Sequence, residues 1–171
     1  RGGAGGVVAA EITARAPADG YTLLMAYSSH TTNPSLNPKA GYRAVDDYAP
    51  ITQVTMAPLV LVVNPQLPVN SAKEIIACGK ANPNKLNYAS SGTGGGAHLA
   101  GALFLNMARI DLIHVPYKGA AQSLTDLVGG QVHSTFSQPA VMLAHAKAGK
   151  LKVLGVTSTK RLGSWQDAPP P

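Results

Sequence analysis

The residues best suited to chemistry lie in one run, Leu86 to Met107, LNYASSGTGGGAHLAGALFLNM. A strand-like Leu86 to Ala89 breaks into Ser90-Ser91-Gly92-Thr93-Gly94-Gly95-Gly96, and a helical pattern starts near Ala97. Leu99, Leu103 and Met107 recur at i, i+4 and i+8, with Ala100 and Phe104 beside them, so one helix face is apolar. Strand, glycine loop and helix in that order leave backbone N–H groups at the helix start without intrahelical partners, and those groups attract an anion. Ser90, Ser91 and Thr93 add hydroxyls, and His98 in the first turn is a candidate donor to a bound anion or a solvent-facing ring. No Asp or Glu lies between Lys85 and Arg109 to repel a carboxylate or phosphate. The plainer alternative is a loop that only starts a helix.

Other chemistries find less support. Gly92 to Ala97 satisfies G-x-G-x-x-A, the dinucleotide fingerprint, but so many glycines allow several registers. The acidic residue that should end the second strand is missing: that strand ends in Val115-Pro116-Tyr117-Lys118, where Lys118 would suit a 2′-phosphate. An NAD(P)-binding Rossmann-type domain of an oxidoreductase is therefore the rival reading. No Gly-Lys-Ser/Thr closes the glycine run, no G-x-S-x-G surrounds Ser90 or Ser91, and no H-E-x-x-H occurs. His30, His98, His114, His133 and His145 have no metal-ligand spacing, and the eight acidic residues include no pair placed for acid–base work. His114 and His133 fall in expected strands as packed or edge rings. The single Cys78 excludes an internal disulfide and is expected to be a packed or idle thiol. Neither a metal nor a cofactor is expected, and the residues give little positive sign of an enzyme.

The elements that must position the glycine loop follow from periodicity. RGGAGG precedes a short helix, Val7 to Ala16; Ala18-Asp19-Gly20 turns the chain; Tyr21 to Tyr27 reads as a buried strand. Ser28-Ser29-His30-Thr31-Thr32-Asn33-Pro34 is a second polar loop that either lines a cleft or caps a helical turn. Strands are expected over Ala49 to Thr55 and Leu59 to Val63, then a helix from Ala72 to Ala81 capped by Asn70 or Ser71, with Glu74 in its first turn. From Leu86 onward strands and helices alternate: helix 97–108, strand Leu112 to Val115, helix 120–128 ended by Gly129-Gly130, strand Val132 to Phe136, helix 140–148 and strand Leu151 to Val156. The pattern predicts an α/β fold with successive βαβ units on a parallel sheet. Ligands of such sheets sit beyond the strands' carboxyl ends, which nominates loops 90–97, 116–120 and 137–140. Gly119 and Ala120 would supply backbone at the second helix start, and Ser137 and Gln138 stand at the third.

Composition bounds the reading. The 171 residues are 45% hydrophobic and 13% charged with 18 glycines, enough to bury a core in one domain or two small lobes. The longest apolar stretch, Ala57 to Val63, is far shorter than the ~20 residues of a membrane span. Net charge is +6, but Lys147, Lys150, Lys152, Lys160 and Arg161 have no interleaved aromatics, so no nucleic-acid partner is expected.

Taken together, RGGAGGVVAAEITARAPADGYTLLM, the Asn33-Pro34 after it, YASSGTGGGAHLAGALF, HVPYKGAAQSLTDLVGGQV and AGKLKVLGVTSTKR resemble the Bug-type extracytoplasmic solute receptors, the substrate-binding proteins of tripartite tricarboxylate transporters. The order and spacing match along nearly the whole chain. The resemblance implies the two-lobed periplasmic-binding-protein fold, here truncated at both ends, with residues 1–58 in a partial first lobe, 59–154 in a second lobe that carries the glycine loop, and 155–171 returning to the first. It implies a monomeric, non-enzymatic periplasmic receptor that takes a small carboxylate and hands it to a membrane permease. Ser90, Ser91, Gly92, Thr93, Gly94, Gly95, Gly96 and His98, with Gly119, Ala120, Ser137 and Gln138, would form the second lobe's share of the site. Ser28, Ser29 and His30 would face the cleft from the other lobe. Many relatives carry an Asp where this chain has Ser137-Gln138, so an organic acid without an ammonium group is favoured over an amino acid.

Overall fold

The computed structural model describes residues 6–160 and Leu162. Six helices and five strands are present among them: α1 (Val7–Ala14), α2 (Ser29–Leu36), β1 (Val60–Val63), α3 (Ala72–Ala81), β2 (Asn87–Ser90), α4 (Gly96–Ala108), β3 (Ile113–Pro116), α5 (Ala120–Val128), β4 (Ser134–Ser137), α6 (Pro139–Lys147) and β5 (Lys152–Val156). The five strands form one sheet in the order β3-β2-β4-β1-β5.

β2 pairs in parallel with β3 and β4, whereas β1 runs antiparallel to both β4 and β5. The strands of the run from Leu86, β2 to β5, all point one way as expected, and β1 opposes them, so the sheet as a whole is mixed and not purely parallel. β1 has no strand–helix–strand crossover before it that would set its direction; it enters from the opposite sense and wedges between two strands of the βαβ run. Its sequence VLVV is buried at every residue. Val60 and Val62 face a cluster with Ala89, Leu127, Val132 and Met142, beneath α5 and α6. Leu61 and Val63 face Ile75, Tyr88, Leu112, Phe136 and Leu154, beneath α3 and α4. Helices therefore cover both faces, as parallel connections require. Gly101 lets α4 lie directly on the sheet, because a Cβ there would overlap the Tyr88 ring.

The first part of the chain departs from expectation twice. The segment Tyr21 to Tyr27 forms no strand, and Tyr21, Leu23, Met25 and Tyr27 are 92%, 72%, 62% and 70% exposed. Residues 49–55 are likewise extended and unpaired, with Ile51 and Val54 exposed. Both have strand-like composition, but a strand needs a hydrogen-bonding neighbour, and no described residue supplies one. The polar stretch after Tyr27 is helical. α2 contains Pro34, which cannot donate to the His30 carbonyl one turn back; the Tyr42 hydroxyl donates to that carbonyl instead, at 2.9 Å. Tyr42 packs with Val7 and Ala10, and the Tyr48 hydroxyl donates to the Ala10 carbonyl at 2.7 Å, which ties α1, α2 and the 40–48 turns together.

Candidate functional site

The parallel strands bring their carboxyl ends to one sheet edge, where Ser90 is level with Pro116. Because β1 is reversed, its first residue, Val60, lies at that same edge beside Ser137 and Val156. A cleft of about 990 Å³ opens there. The glycine loop contributes Ser91, Gly92, Thr93, Gly95 and Gly96; the β3–α5 connection contributes Pro116, Tyr117, Lys118 and Ala120; the β4–α6 connection contributes Ser137 and Gln138. Across from them stand Gly6, Val7, Ser28, Ser29, Asn33 and Leu36.

Helix starts dominate this lining. α1, α2, α4, α5 and α6 each begin at a residue that lines the cleft or directly beside one, and none has a side-chain N-cap bond or an acidic residue in its first turn. α3, which follows the opposite end of β1, is different: Ser71 Oγ accepts from the Glu74 amide at 3.2 Å, and Glu74 sits in the first turn. Side chains normally satisfy the orphan amides of a helix start and acids settle near its positive end. Five starts that lack both, gathered on one cavity, leave amide hydrogens and positive dipole ends for an anion. Among the described residues no Asp or Glu lines the cleft, and Lys118 is the charged side chain that does. The nearby Asp126 accepts from the Tyr117 hydroxyl at 2.7 Å. Desolvation first, and then that carboxylate, push the Tyr117 phenol up to about 12.

The glycine loop is fixed from beneath. Ser90 is fully buried; its hydroxyl donates to the Gly92 carbonyl at 3.1 Å and accepts from the Gly92 amide at 3.2 Å. Gly92 and Gly94 adopt φ of 141° and 80°, which side-chain-bearing residues avoid. A Cβ on Gly94 would stand 2.9 Å from Asn33 Oδ1, so glycine also lets α2 close on the loop. There Thr32 Oγ1 donates to the Gly94 carbonyl at 2.9 Å.

The candidates named from the sequence divide accordingly. Ser28, Ser29, Ser91, Gly92, Thr93, Gly95, Gly96, Ala120, Ser137 and Gln138 share the cleft lining. Ser90, Gly94, His98 and Gly119 lie outside the lining. His98 stacks on His114 at 4.2 Å between ring centroids, and its Nδ1 accepts from the Gly94 amide at 3.1 Å. His30 is also placed elsewhere: its Nε2 lies 3.0 Å from the Ala44 carbonyl, and its ring stacks on Tyr42 and meets Tyr48 edge-on. Tyr117 and Lys118 line the cleft within the 116–120 loop nominated from the sequence, and Asn33 within the polar stretch 28–34 offered as cleft lining or helix cap. Leu36, Thr135 and the α1 start line it outside the nominated residues, because neither loop position nor polarity marked them.

This architecture is similar to that of the periplasmic binding protein BugD, with a TM-score of 0.91 and 34% identity, covering 99% of this chain and 56% of that one. The chain belongs to the family described as tripartite tricarboxylate transporter family receptor (TctC), which matches residues 1–170. It is 37% identical over 163 residues to the protein BugT of Bordetella pertussis, covering 94% of this chain and 50% of that relative. Among solved structures it is similar to Rpa4515 of R. palustris with adipate, with a TM-score of 0.94 and 34% identity, covering 99% of this chain and 57% of that one. It is also similar to MatC (Rpa3494) of Rhodopseudomonas palustris with bound malate, with a TM-score of 0.90 and 29% identity over 98% of this chain and 57% of that one. The chain spans about half the length of the curated relatives it matches.

Proposed function

We propose that the protein is an extracytoplasmic solute receptor, not an enzyme, that captures a small organic acid at this cleft and presents it to a membrane permease. The observation that carries the reading is the set of five uncapped, acid-free helix starts around one cavity, set against the capped start of α3. A carboxylate fits such a site: it takes two or more amide donors and needs no cation in direct contact. Lys118 would attract a second carboxylate toward the β3–α5 side. The absence of any lining Asp or Glu among the described residues disfavours amino acids, whose ammonium group would lose its hydration without gaining a counter-charge. The adipate and malate in the two similar structures support this ligand class.

Family membership supports the permease as partner and the periplasm as location. Residues 1–58 and 155–171 would belong to one lobe and 59–154 to the other, with α1 and α2 forming the far wall of the cleft. The helix starts accept anions in general, so a titration panel decides between classes. Adipate, malate, citrate, glutamate and NADP⁺ would each be tested by thermal shift. A ligand at a hundredfold excess over its Kd adds ~2.7 kcal/mol, a rise of several degrees in Tm. The expected result is a rise with an organic acid and none with glutamate or NADP⁺. A rise with NADP⁺ alone would refute the receptor and make the glycine loop a pyrophosphate cradle.

A further inference from the structure

Beneath the glycine loop, three rings from three elements form one pile. Tyr88 of β2 stacks on His114 of β3 at 4.9 Å and 27°, and His114 stacks on His98 of α4 at 4.2 Å and 24°. Each histidine spends a ring nitrogen on the loop. His98 Nδ1 accepts from the Gly94 amide at 3.1 Å. His114 Nε2 lies 2.7 Å from Ser90 Oγ, which also bonds to Gly92. Neither ring lines the cleft.

We propose that His98 and His114 are positioning residues: their ring nitrogens hold the Gly92 and Gly94 ends of the loop in the arrangement that grips the ligand. The inference rests on the receptor reading above.

The hydrogen-bond inventory sets the His98 tautomer. An acceptor at Nδ1 places the single proton of neutral His98 on Nε2. His114 Nε2 and Ser90 Oγ stand 2.7 Å apart and share one hydrogen bond, beside the bonds of Ser90 Oγ to Gly92. Burial, and next the proximity of His98, hold His114 down to about 4, so it stays uncharged near neutrality.

The first test needs no ligand. In ¹⁵N-edited NMR of the protein, His98 should show the Nε2–H tautomer. The Gly94 amide should shift in His98→Ala and far less in His98→Asn, whose Oδ1 replaces the acceptor. An Nδ1–H tautomer, or a Gly94 amide indifferent to His98→Ala, overturns the proposal. The second test is calorimetric titration with adipate and malate. Loss of one charge-free anchor should weaken binding about tenfold in His98→Ala and far less in His98→Asn. If neither acid binds any variant, the receptor reading fails while the NMR result still decides the histidines.

Discussion

His114 should make the protein acid-sensitive in a defined window. In the folded chain its pKa is lowered from 6.5 to about 4, chiefly by burial and secondly by His98. Between those values the unfolded chain binds a proton that the folded chain refuses. Stability is thus full above about 6.5, falls as the pH drops toward about 4, and levels off below it. The gap would be worth ~3.4 kcal/mol at 1.36 kcal/mol per tenfold change, and solvent around a ring that is only part-buried roughly halves it to ~1.5 kcal/mol. Urea unfolding at about pH 7.5 and pH 4.5 would measure the loss. His114→Gln keeps an N–H within reach of Ser90 but does not titrate, so its loss over the same interval should be smaller by that amount. His133, also lowered by burial, contributes in the same direction to both proteins and cancels in the comparison. An equal acid loss in wild type and His114→Gln would refute the assignment.

Three further outcomes follow from the packing. Ser71→Ala removes the acceptor for the Glu74 amide and frees the carboxylate that accepts from the Asn70 amide at 2.9 Å; a loss of ~1 kcal/mol is expected in chemical denaturation. Ile75→Ala empties a site that is 1% exposed beneath α3 and should cost ~2–5 kcal/mol by the same assay. Gly94→Ala meets both a φ of 80° and Asn33 Oδ1 at 2.9 Å; it should cut adipate affinity by at least tenfold, about 1.4 kcal/mol, while the circular dichroism spectrum stays unchanged.

Much of the sheet was legible because its signals are local. Helix 72–81 and helix 120–128 fall where periodicity and caps place them, and helix 97–108 and helix 140–148 are each off by one residue. The glycine run was legible as a helix start because a strand-like run breaks into glycines there and an apolar helical periodicity follows. Strand direction was not: VLVV is a buried strand in either sense, and only its neighbours settle which. Tyr21 to Tyr27 misled for a related reason, since apolar composition describes a willingness to pair and not the presence of a partner. The histidines show a third limit. His30 and His98 looked like cleft donors by sequence position, but the ring nitrogens that the structure shows engaged meet backbone groups, and what decides this is the turn of a helix by one residue and the rings stacked against it.

The reversal of β1 has a mechanical consequence. The chain enters the sheet at Leu59 and leaves it at Thr157, and the two points are laced together: the Thr157 amide donates to the Leu59 carbonyl at 2.8 Å, and the Leu59 amide donates to Thr157 Oγ1 at 2.9 Å. Incoming and outgoing segments therefore run side by side as a two-ply strap at the mouth of the cleft. Those two bonds fix where the segment that carries α1 and α2 joins the sheet, and Thr157 closes the join from both its amide and its hydroxyl. A side chain without a hydroxyl at 157 would leave the Leu59 amide without that acceptor.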